Sequence, residues 1–264
     1  MRDILNLAHL FKEFQIYPKE KFSSGSPFIE FQRLYPKNYY SQDIDLLIEL
    51  QDYSPIRRGA DLPWWGEQFF QNTSGPKVML IAQDSNALDA GSVVIYAHLF
   101  NEIPLTSGTK FTQFINRLSS SDLFKYQNWK RAFQQLKDWE LNLTHLYITD
   151  AKKVYKPRQE VRKDSFDNAK SSIVLEEEIK IVNPDYIITL GSQAFNLLSS
   201  TSLLSEKINY ADAVECGELI QLSLGKLIVS PFITGQCHTS PNFKERKRIA
   251  KELIHREISS KYLK

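Results

Sequence analysis

The sequence PDYIITLGSQAFNLL, residues 184–198, predicts a strand followed directly by a helix. Its apolar run Tyr186–Leu190 has the length of a buried strand and is too short for a helix. Residues 191–198 then form the helix. A second helix, over Ser172–Val182, ends just before Pro184, because the residue that precedes a proline avoids helical backbone. This part of the chain therefore has the order helix, strand, helix.

Three further apolar runs have the length of a strand, at Val78–Ala82, Leu146–Thr149 and Leu227–Pro231. A helical stripe at Phe111–Leu118 lies between the first two runs, and a charged helix over Lys244–Tyr262 closes the chain. Apolar strands that alternate with helices form parallel sheets covered on both faces. The sequence therefore predicts an α/β fold, a three-layer αβα arrangement with a central, mostly parallel four-stranded sheet.

The first quarter of the chain differs from the rest. Residues 1–75 are rich in aromatic and turn-forming residues, and their helical pattern is short, at Asp43–Leu50. No low-complexity linker separates this part from the rest of the chain. We therefore expect residues 1–75 to be an N-terminal elaboration packed on the core and residues 76–264 to form the main domain.

The composition limits the classes of function. Hydrophobic residues make up 42% and charged residues 24% of the 264 residues, which is typical of a globular protein. The formal net charge is +2, so a nucleic-acid surface must come from local clusters of basic residues. Cys216 and Cys237 are too few for a disulfide framework or an iron–sulfur cluster. No stretch has the ~20 apolar residues that span a bilayer, and we expect a soluble, cytoplasmic protein.

Polar residues follow each predicted strand. They are Gln83-Asp84-Ser85-Asn86, Asp150-Ala151-Lys152, Gly191-Ser192-Gln193 and Cys237-His238-Thr239-Ser240-Pro241. Ligands of open parallel sheets bind beyond the carboxyl ends of the strands. The sequence therefore predicts a site that contains Asp84, Asp150 and His238, without naming its reaction.

The same four segments, in this order, resemble motifs of the uracil-DNA glycosylase superfamily. Residues 82–86 (AQDSN) match a motif that reads GQDPY or GEAPG in the family, and residues 148–152 (ITDAK) match a strand that often ends Thr-Asn before a lysine. Residues 184–194 match Pro-x-x-(apolar)-x-Leu-Gly-x-x-Ala, and residues 238–241 (HTSP) match the closing HPSP motif. The resemblance runs from Gly75 to the C-terminus and implies a uracil-DNA glycosylase-like catalytic domain.

The resemblance implies roles for two of these side chains. Cleavage of an N-glycosidic bond develops positive charge on the sugar and negative charge on the departing base. Asp84 takes the place of the carboxylate that stabilises the cation and orients water, and His238 that of the donor facing O2 of the base. Gln83 belongs to the same base-binding motif. Alternatively, Asp84 is the N-cap of a helix and His238 a surface residue in a turn.

Asp150 departs from the family pattern. The family commonly has an asparagine here, whose amide donates to O4 of uracil and accepts from N3–H. An ionised aspartate only accepts hydrogen bonds and therefore suits the N4 amine of a cytosine-type base. Two alternatives stay open: a protonated Asp150 mimics the amide against uracil, or Asp150 caps a turn or pairs with Lys152 or Lys153.

A second departure concerns C5 of the base. Asn86 stands where some family members have a tyrosine that excludes bases substituted at C5. The smaller, polar Asn86 leaves room for a polar substituent, so both departures favour a 5-modified cytosine, as in some phage DNA, and a role in phage defence. The stacking phenylalanine of the family aligns with Leu105. Phe100 or Phe111 are alternatives for stacking on the base, although both are equally suited to the core.

Two basic clusters are candidates for contact with DNA phosphates. The first follows the second motif and contains Lys152, Lys153, Lys156, Arg158, Arg162 and Lys163. The second follows the last motif and contains Lys244, Arg246, Lys247, Arg248 and Lys251. Charge runs are also common on solvated faces, and glutamates dilute the second cluster. The first cluster is therefore the one favoured for DNA contact.

Other predicted DNA contacts lie at turns. Gly191 and Ser192 open a helix, whose backbone N–H groups suit a phosphate. Ser240 belongs to the closing motif, and Asn242 and Phe243 occupy the place of the family's wedge residue. The ring of Phe243 suits insertion into the base stack when a base leaves it.

Three interpretations of the function remain open. The first is a DNA glycosylase acting on a modified cytosine, and the second is a uracil-DNA glycosylase of base-excision repair. The third is a catalytically silent DNA-binding module on the same fold. An unrelated nucleotide-binding enzyme is disfavoured, because no glycine-rich phosphate loop follows the first strand. The expected partner is DNA, bound by a monomer without a cofactor, a metal or a membrane.

Overall fold

The computed structural model describes residues 2–13, 63–66, 68–71, 74–83, 135–153, 168–232 and 241–262. The helices in these ranges include α1 (Arg2–Glu13), α2 (Asn168–Val182), α3 (Gly191–Ser199), α4 (Tyr210–Glu215) and α5 (Pro241–Glu257). The strands are β1 (Trp64–Trp65), β2 (Val78–Ala82), β3 (Leu146–Asp150), β4 (Tyr186–Leu190), β5 (Ile220–Gln221) and β6 (Lys226–Ser230). Short 3-10 helices cover Leu143–His145 and Ser259–Lys261.

The strands form one sheet in the order β1-β3-β2-β4-β6-β5. The four inner strands pair in parallel, whereas β1 and β5 pair antiparallel with β3 and β6 at the two edges. The predicted α/β fold with a mostly parallel sheet is confirmed. The predicted count of four strands is too low, because the sheet has six in the part of the chain that the structure describes. The two edge strands have two residues each and give no apolar run.

The core lies on the four parallel strands. One row across the sheet consists of Tyr147, Met79, Ile187 and Leu227, which pair in register and are fully buried. Every position of β3 and β4 is buried, as expected for strands covered on both faces. Burial of one such large apolar side chain stabilises the fold by roughly 1.5–3 kcal/mol.

Two crossovers carry the chain across the sheet in the same direction. α2 connects β3 to β4, and α3 and α4 lie between β4 and β6. Crossovers between parallel strands are right-handed, so α2 and α3 belong on the same face, and the two helices do pack together. Glu178 of α2 accepts hydrogen bonds from Tyr147 and Thr149, which therefore point to the face that α2 covers.

Helix α5 runs from the carboxyl ends of the parallel strands to their amino ends. It packs against β6, and its 17 residues give it a length of about 25 Å. The 3-10 helix after α5 reaches the amino ends of two strands: Lys261 Nζ donates to Tyr186 Oη, and Tyr262 Oη donates to the carbonyl of Pro76 at 2.9 Å. The start of α5 therefore lies toward the carboxyl ends.

Two described parts of the N-terminal quarter contact the main domain. α1 packs against α2, and β1 adds to the sheet beside β3. The ring of Trp65 stacks on Tyr147 with 6.0 Å between centroids, and Phe69 lies 5.3 Å from the same ring. One strand of the sheet therefore comes from residues that the sequence assigns to the elaboration.

The predicted strands at 78–82 and 186–190 have the observed bounds, and the helix predicted at 191–198 extends one residue further, to Ser199. The helix predicted from Ser172 begins four residues earlier, at Asn168, and the closing helix predicted over Lys244–Tyr262 covers Pro241–Glu257. The helices predicted at 43–50 and 111–118 lie outside the described residues. Among the helices that the structure describes, none is both long and apolar enough to cross a membrane.

We predict that stability depends on pH through Glu176 of α2. Its carboxylate accepts from Ser202 N at 2.8 Å and from Ser202 Oγ at 2.6 Å, and Lys180 lies 2.9 Å away. The bonds to Ser202, and then Lys180, lower the pKa of Glu176 from 4.5 to about 2. A lowered pKa contributes stability above pH 4.5 that is lost as the pH falls through 2.

Glu176→Gln is therefore expected to lower the free energy of unfolding at pH 7 by about 1–2 kcal/mol. The difference from wild type should shrink below pH 4.5 and disappear as the pH falls through about 2, because Glu176 itself becomes protonated there. Urea unfolding at a series of pH values measures this difference. A difference that stays constant over the whole series contradicts the prediction.

Candidate functional site

The carboxyl ends of the four parallel strands lie side by side and form the carboxyl edge of the sheet. Ala82 of β2 pairs in register with Asp150 of β3, and Leu190 of β4 pairs with Ser230 of β6. The described parts of three motif segments therefore lie at one edge: Ala82-Gln83, residues 148–152 and Leu190-Gly191. The chain leaves β2 toward β3 and leaves β4 toward β6, so a crevice is expected between β2 and β4.

Six predicted site residues lie outside the part of the chain that the structure describes. They are Asp84, Asn86, Phe100, Leu105, His238 and Ser240. In the sequence, Asp84 directly follows the described Gln83, and the segment 233–240 connects β6 to α5. Their roles stay predictions.

Asp150 ends β3 with its side chain inside the protein, where 3% of the residue is exposed. The pairing of β2 with β3 continues past the strands, because Ala151 N donates to the carbonyl of Ala82 at 2.9 Å and Lys152 N to that of Gln83 at 3.0 Å. Gln83 and Asp150, both predicted to contact the base, are thereby held on neighbouring strand ends. A carboxyl group at such a depth is suited to reading a buried polar edge.

A buried polar cluster lies beneath this edge, on the face covered by α2. Lys153 Nζ forms an ion pair with Glu178 and donates to Thr149 Oγ1 at 2.6 Å. Thr149 Oγ1 and Tyr147 Oη both donate to Glu178 Oε1, at 2.9 and 2.8 Å. All four side chains are at most 1% exposed. Burial, and then the charge of Glu178, raises the pKa of the Tyr147 hydroxyl well above its ordinary value.

The position of Lys153 is at odds with its predicted contact to DNA. Its ammonium group points into the protein and is committed to Glu178, so it cannot reach a phosphate in this arrangement. Lys152 is also largely buried, with 8% of the residue exposed. The other members of the first basic cluster lie outside the described residues. The ion pair instead ties the turn after β3 to helix α2.

Sequence reasoning missed Glu178, although its signal is present. Val174, Leu175, Ile179 and Val182 form the buried stripe of α2, and Glu178 lies within that stripe at i+4 from Val174 and i−4 from Val182. A glutamate in the apolar stripe of a helix is buried and needs a partner. The lysine after the end of β3 was therefore a candidate partner rather than a DNA contact.

Gly191 joins β4 to α3 at the carboxyl edge. Its φ is +83°, and a Cβ at this position would lie 2.8 Å from Cβ of Phe232. Ser192 and Gln193 follow it in the first turn of α3 and are exposed. The sharp turn brings the N-terminus of α3 to the edge where the predicted DNA contact is placed.

We predict that Gly191→Ala destabilises the protein by about 1–3 kcal/mol, because alanine at positive φ is strained and its Cβ meets Phe232. Thermal or urea unfolding measures the loss. Gly217→Ala is an informative comparison: its φ is +65°, but the added Cβ would meet only Ile249 at 3.6 Å. If Gly191→Ala lowers the free energy of unfolding by no more than Gly217→Ala does, the contact with Phe232 has no role in the effect.

The predicted wedge residues lie in the first turn of α5. Asn242 is exposed, and Phe243 is partly buried. Both positions are helical rather than part of a loop. Insertion of Phe243 into a base stack stays a prediction.

A cavity of about 620 Å³ lies at the opposite, amino edge of the sheet. Asp185, Tyr186 and Lys226 line it, at or next to the amino ends of β4 and β6. Five residues of strand, roughly 16 Å, separate it from the carboxyl edge. The predicted site is therefore not in this cavity.

Within the described ranges, no group of three or more His, Cys, Asp or Glu side chains is arranged to hold a metal ion. Cys216 is a free, exposed thiol. No family model matches the chain. No curated protein matches it either.

Proposed function

We propose that the chain is a DNA glycosylase that hydrolyses the N-glycosidic bond of a flipped-out base. One observation supports the proposal: the described residues of three motif segments, Ala82-Gln83, residues 148–152 and Leu190-Gly191, lie at the carboxyl ends of the adjacent parallel strands β2, β3 and β4, and the fourth segment ends at Pro241, where α5 begins. A three-layer, uracil-DNA glycosylase-like arrangement of the whole domain is part of the proposal.

The proposed chemistry is a hydrolysis. Water attacks C1′ of the sugar, the bond from C1′ to the base nitrogen breaks, and the base departs with the bonding electrons. Asp84 stabilises the positive charge on the sugar and orients the water, and His238 donates to the departing base. The products are a free base and an abasic site. The base must leave the stack first, because its glycosidic bond is inaccessible in the duplex.

The proposed base is a cytosine modified at C5, such as the glucosylated hydroxymethylcytosine of phage DNA. Asp150 supports this choice, because an ionised aspartate offers only acceptors, which suit the N4 amine of a cytosine-type base. Asn86 supports it by residue type, because an asparagine is smaller than the tyrosine that stands at this position in some members of the family that the sequence resembles. The pairing of Gln83 with the turn after Asp150 keeps two base-reading side chains on adjacent strand ends.

The test is base release from four DNAs that are identical except at one position. That position holds uracil, cytosine, 5-hydroxymethylcytosine or its glucosylated form. We expect release of a modified cytosine, with little release of uracil or of unmodified cytosine. Released base is separated by chromatography and identified by mass.

The other outcomes separate the remaining interpretations. Faster release of uracil than of any cytosine derivative would contradict the modified-cytosine proposal and establish the repair activity. Binding of all four DNAs without release of any base would contradict the glycosylase proposal and favour a silent DNA-binding module.

A further inference from the structure

The basic residues of α5 divide into two groups. Arg246 Nη2 lies 2.6 Å from Glu215 of α4, and Arg248 lies 2.6 Å from Glu245 and 2.5 Å from Glu252 on its own helix. These two guanidinium groups are therefore neutralised by carboxylates of the protein itself. They offer little net charge to an external partner.

The lysines form the second group. Lys244, Lys247 and Lys251 form no ion pair within the part of the chain that the structure describes. Their spacing of i, i+3 and i+7 places them along one side of the helix. Lys244 and Lys251 are exposed, and Lys247 is partly exposed. These three residues are termed the lysine stripe.

The lysine stripe begins at the carboxyl edge of the sheet. Lys244 lies in the first turn of α5, and α5 starts toward the carboxyl ends of the strands. From Lys244 to Lys251 the helix rises by seven steps, or about 10 Å. A DNA strand carries one phosphate per ~3.4 Å measured along the duplex axis, so a stripe of this length lying parallel to the axis spans about three phosphates. The positive end of the helix dipole lies at the same end as Lys244.

We propose that the lysine stripe docks the phosphate backbone of DNA beside the carboxyl edge. This inference rests on the proposed function, because that function supplies the DNA. It reverses the order that the sequence suggests for the two basic clusters. The described members of the first cluster, Lys152 and Lys153, are buried, whereas the second cluster presents three lysines that no carboxylate of the described residues neutralises.

The test is the salt dependence of binding to a fluorescent DNA duplex. One variant combines Lys244→Gln, Lys247→Gln and Lys251→Gln. The matched control combines Arg246→Gln and Arg248→Gln on the same helix. Each lysine on a phosphate contributes about 0.9 to the slope of log K against log salt, so the lysine variant should lose up to about 2.7 of the slope. The control should keep the wild-type slope. Thermal unfolding checks that both variants fold.

Each outcome of this experiment supports or overturns the inference. An unchanged slope in the lysine variant overturns it, and so does an equal loss in the control, which indicates only a long-range effect of net charge. If wild type does not bind DNA, the inference is also overturned. Binding of polyglutamate by wild type but not by the lysine variant would then assign the stripe to an acidic protein. DNA binding through the stripe without base release would overturn the proposed function while the stripe stands.

Discussion

Asp84→Ala is expected to lower kcat for base release by a factor on the order of 10²–10⁴, with DNA still bound. Without the carboxylate, neither the cationic sugar nor the attacking water has its proposed partner. Binding should persist, because the proposed phosphate contacts lie on α5 and at the start of α3. Single-turnover release of the base, together with DNA affinity at fixed salt, measures the two properties separately.

A matched control is Glu206→Ala. Glu206 is an exposed carboxylate between α3 and α4, in a segment that contacts the turn before β6 and not the carboxyl edge where Gln83 and Asp150 lie. The control should release base at the wild-type rate. Equal activity of Asp84→Ala and wild type would contradict the assignment of the catalytic carboxylate.

The second large effect concerns stability. Lys153→Met and Glu178→Leu are each expected to lower the free energy of unfolding by about 3–5 kcal/mol, because each leaves one buried charge without its partner. The double variant should lose less than the sum of the two single losses, since it buries no lone charge. In the double variant Tyr147 and Thr149 still lose their hydrogen-bond acceptor, so the free energy of unfolding stays below that of wild type. Urea unfolding of the four proteins gives the coupling.

Lys180→Met is the control for the ion pair. Lys180 lies on the same helix and pairs with Glu176 and Glu177, but its side chain is 42% exposed. Solvent screens such a pair, and its loss should change stability little. Strictly additive losses for Lys153→Met and Glu178→Leu would contradict the buried pair.

The sequence predicts the inner part of the fold well and its edges poorly. Apolar runs of strand length, such as Tyr186–Leu190, carry their own signal, because a strand buried on both faces has no polar positions. β1 has no such signal: it consists of Trp64-Trp65, and it is held beside β3 by backbone pairing and by the stacking of Trp65 on Tyr147. That contact joins residues far apart in the sequence.

The sequence predicts where the candidate site lies better than it predicts the contacts that its side chains make. Parallel strands bring their carboxyl ends to one edge, so the rule that places polar residues there succeeds for Gln83 and Asp150. The rule fails for Lys153, because its side chain points to Glu178, which lies in a helix later in the chain. A positive charge after a strand suggests an external phosphate until its internal partner is known.

The most direct test of the glycosylase proposal is the stoichiometry of products from DNA that contains glucosylated hydroxymethylcytosine. Free base is quantified by mass, and abasic sites are quantified by cleavage of the strand with alkali. The proposal predicts one free base for each abasic site, with the phosphodiester backbone intact before alkali is added. Intact substrate, or cleavage of the backbone without free base, would contradict it.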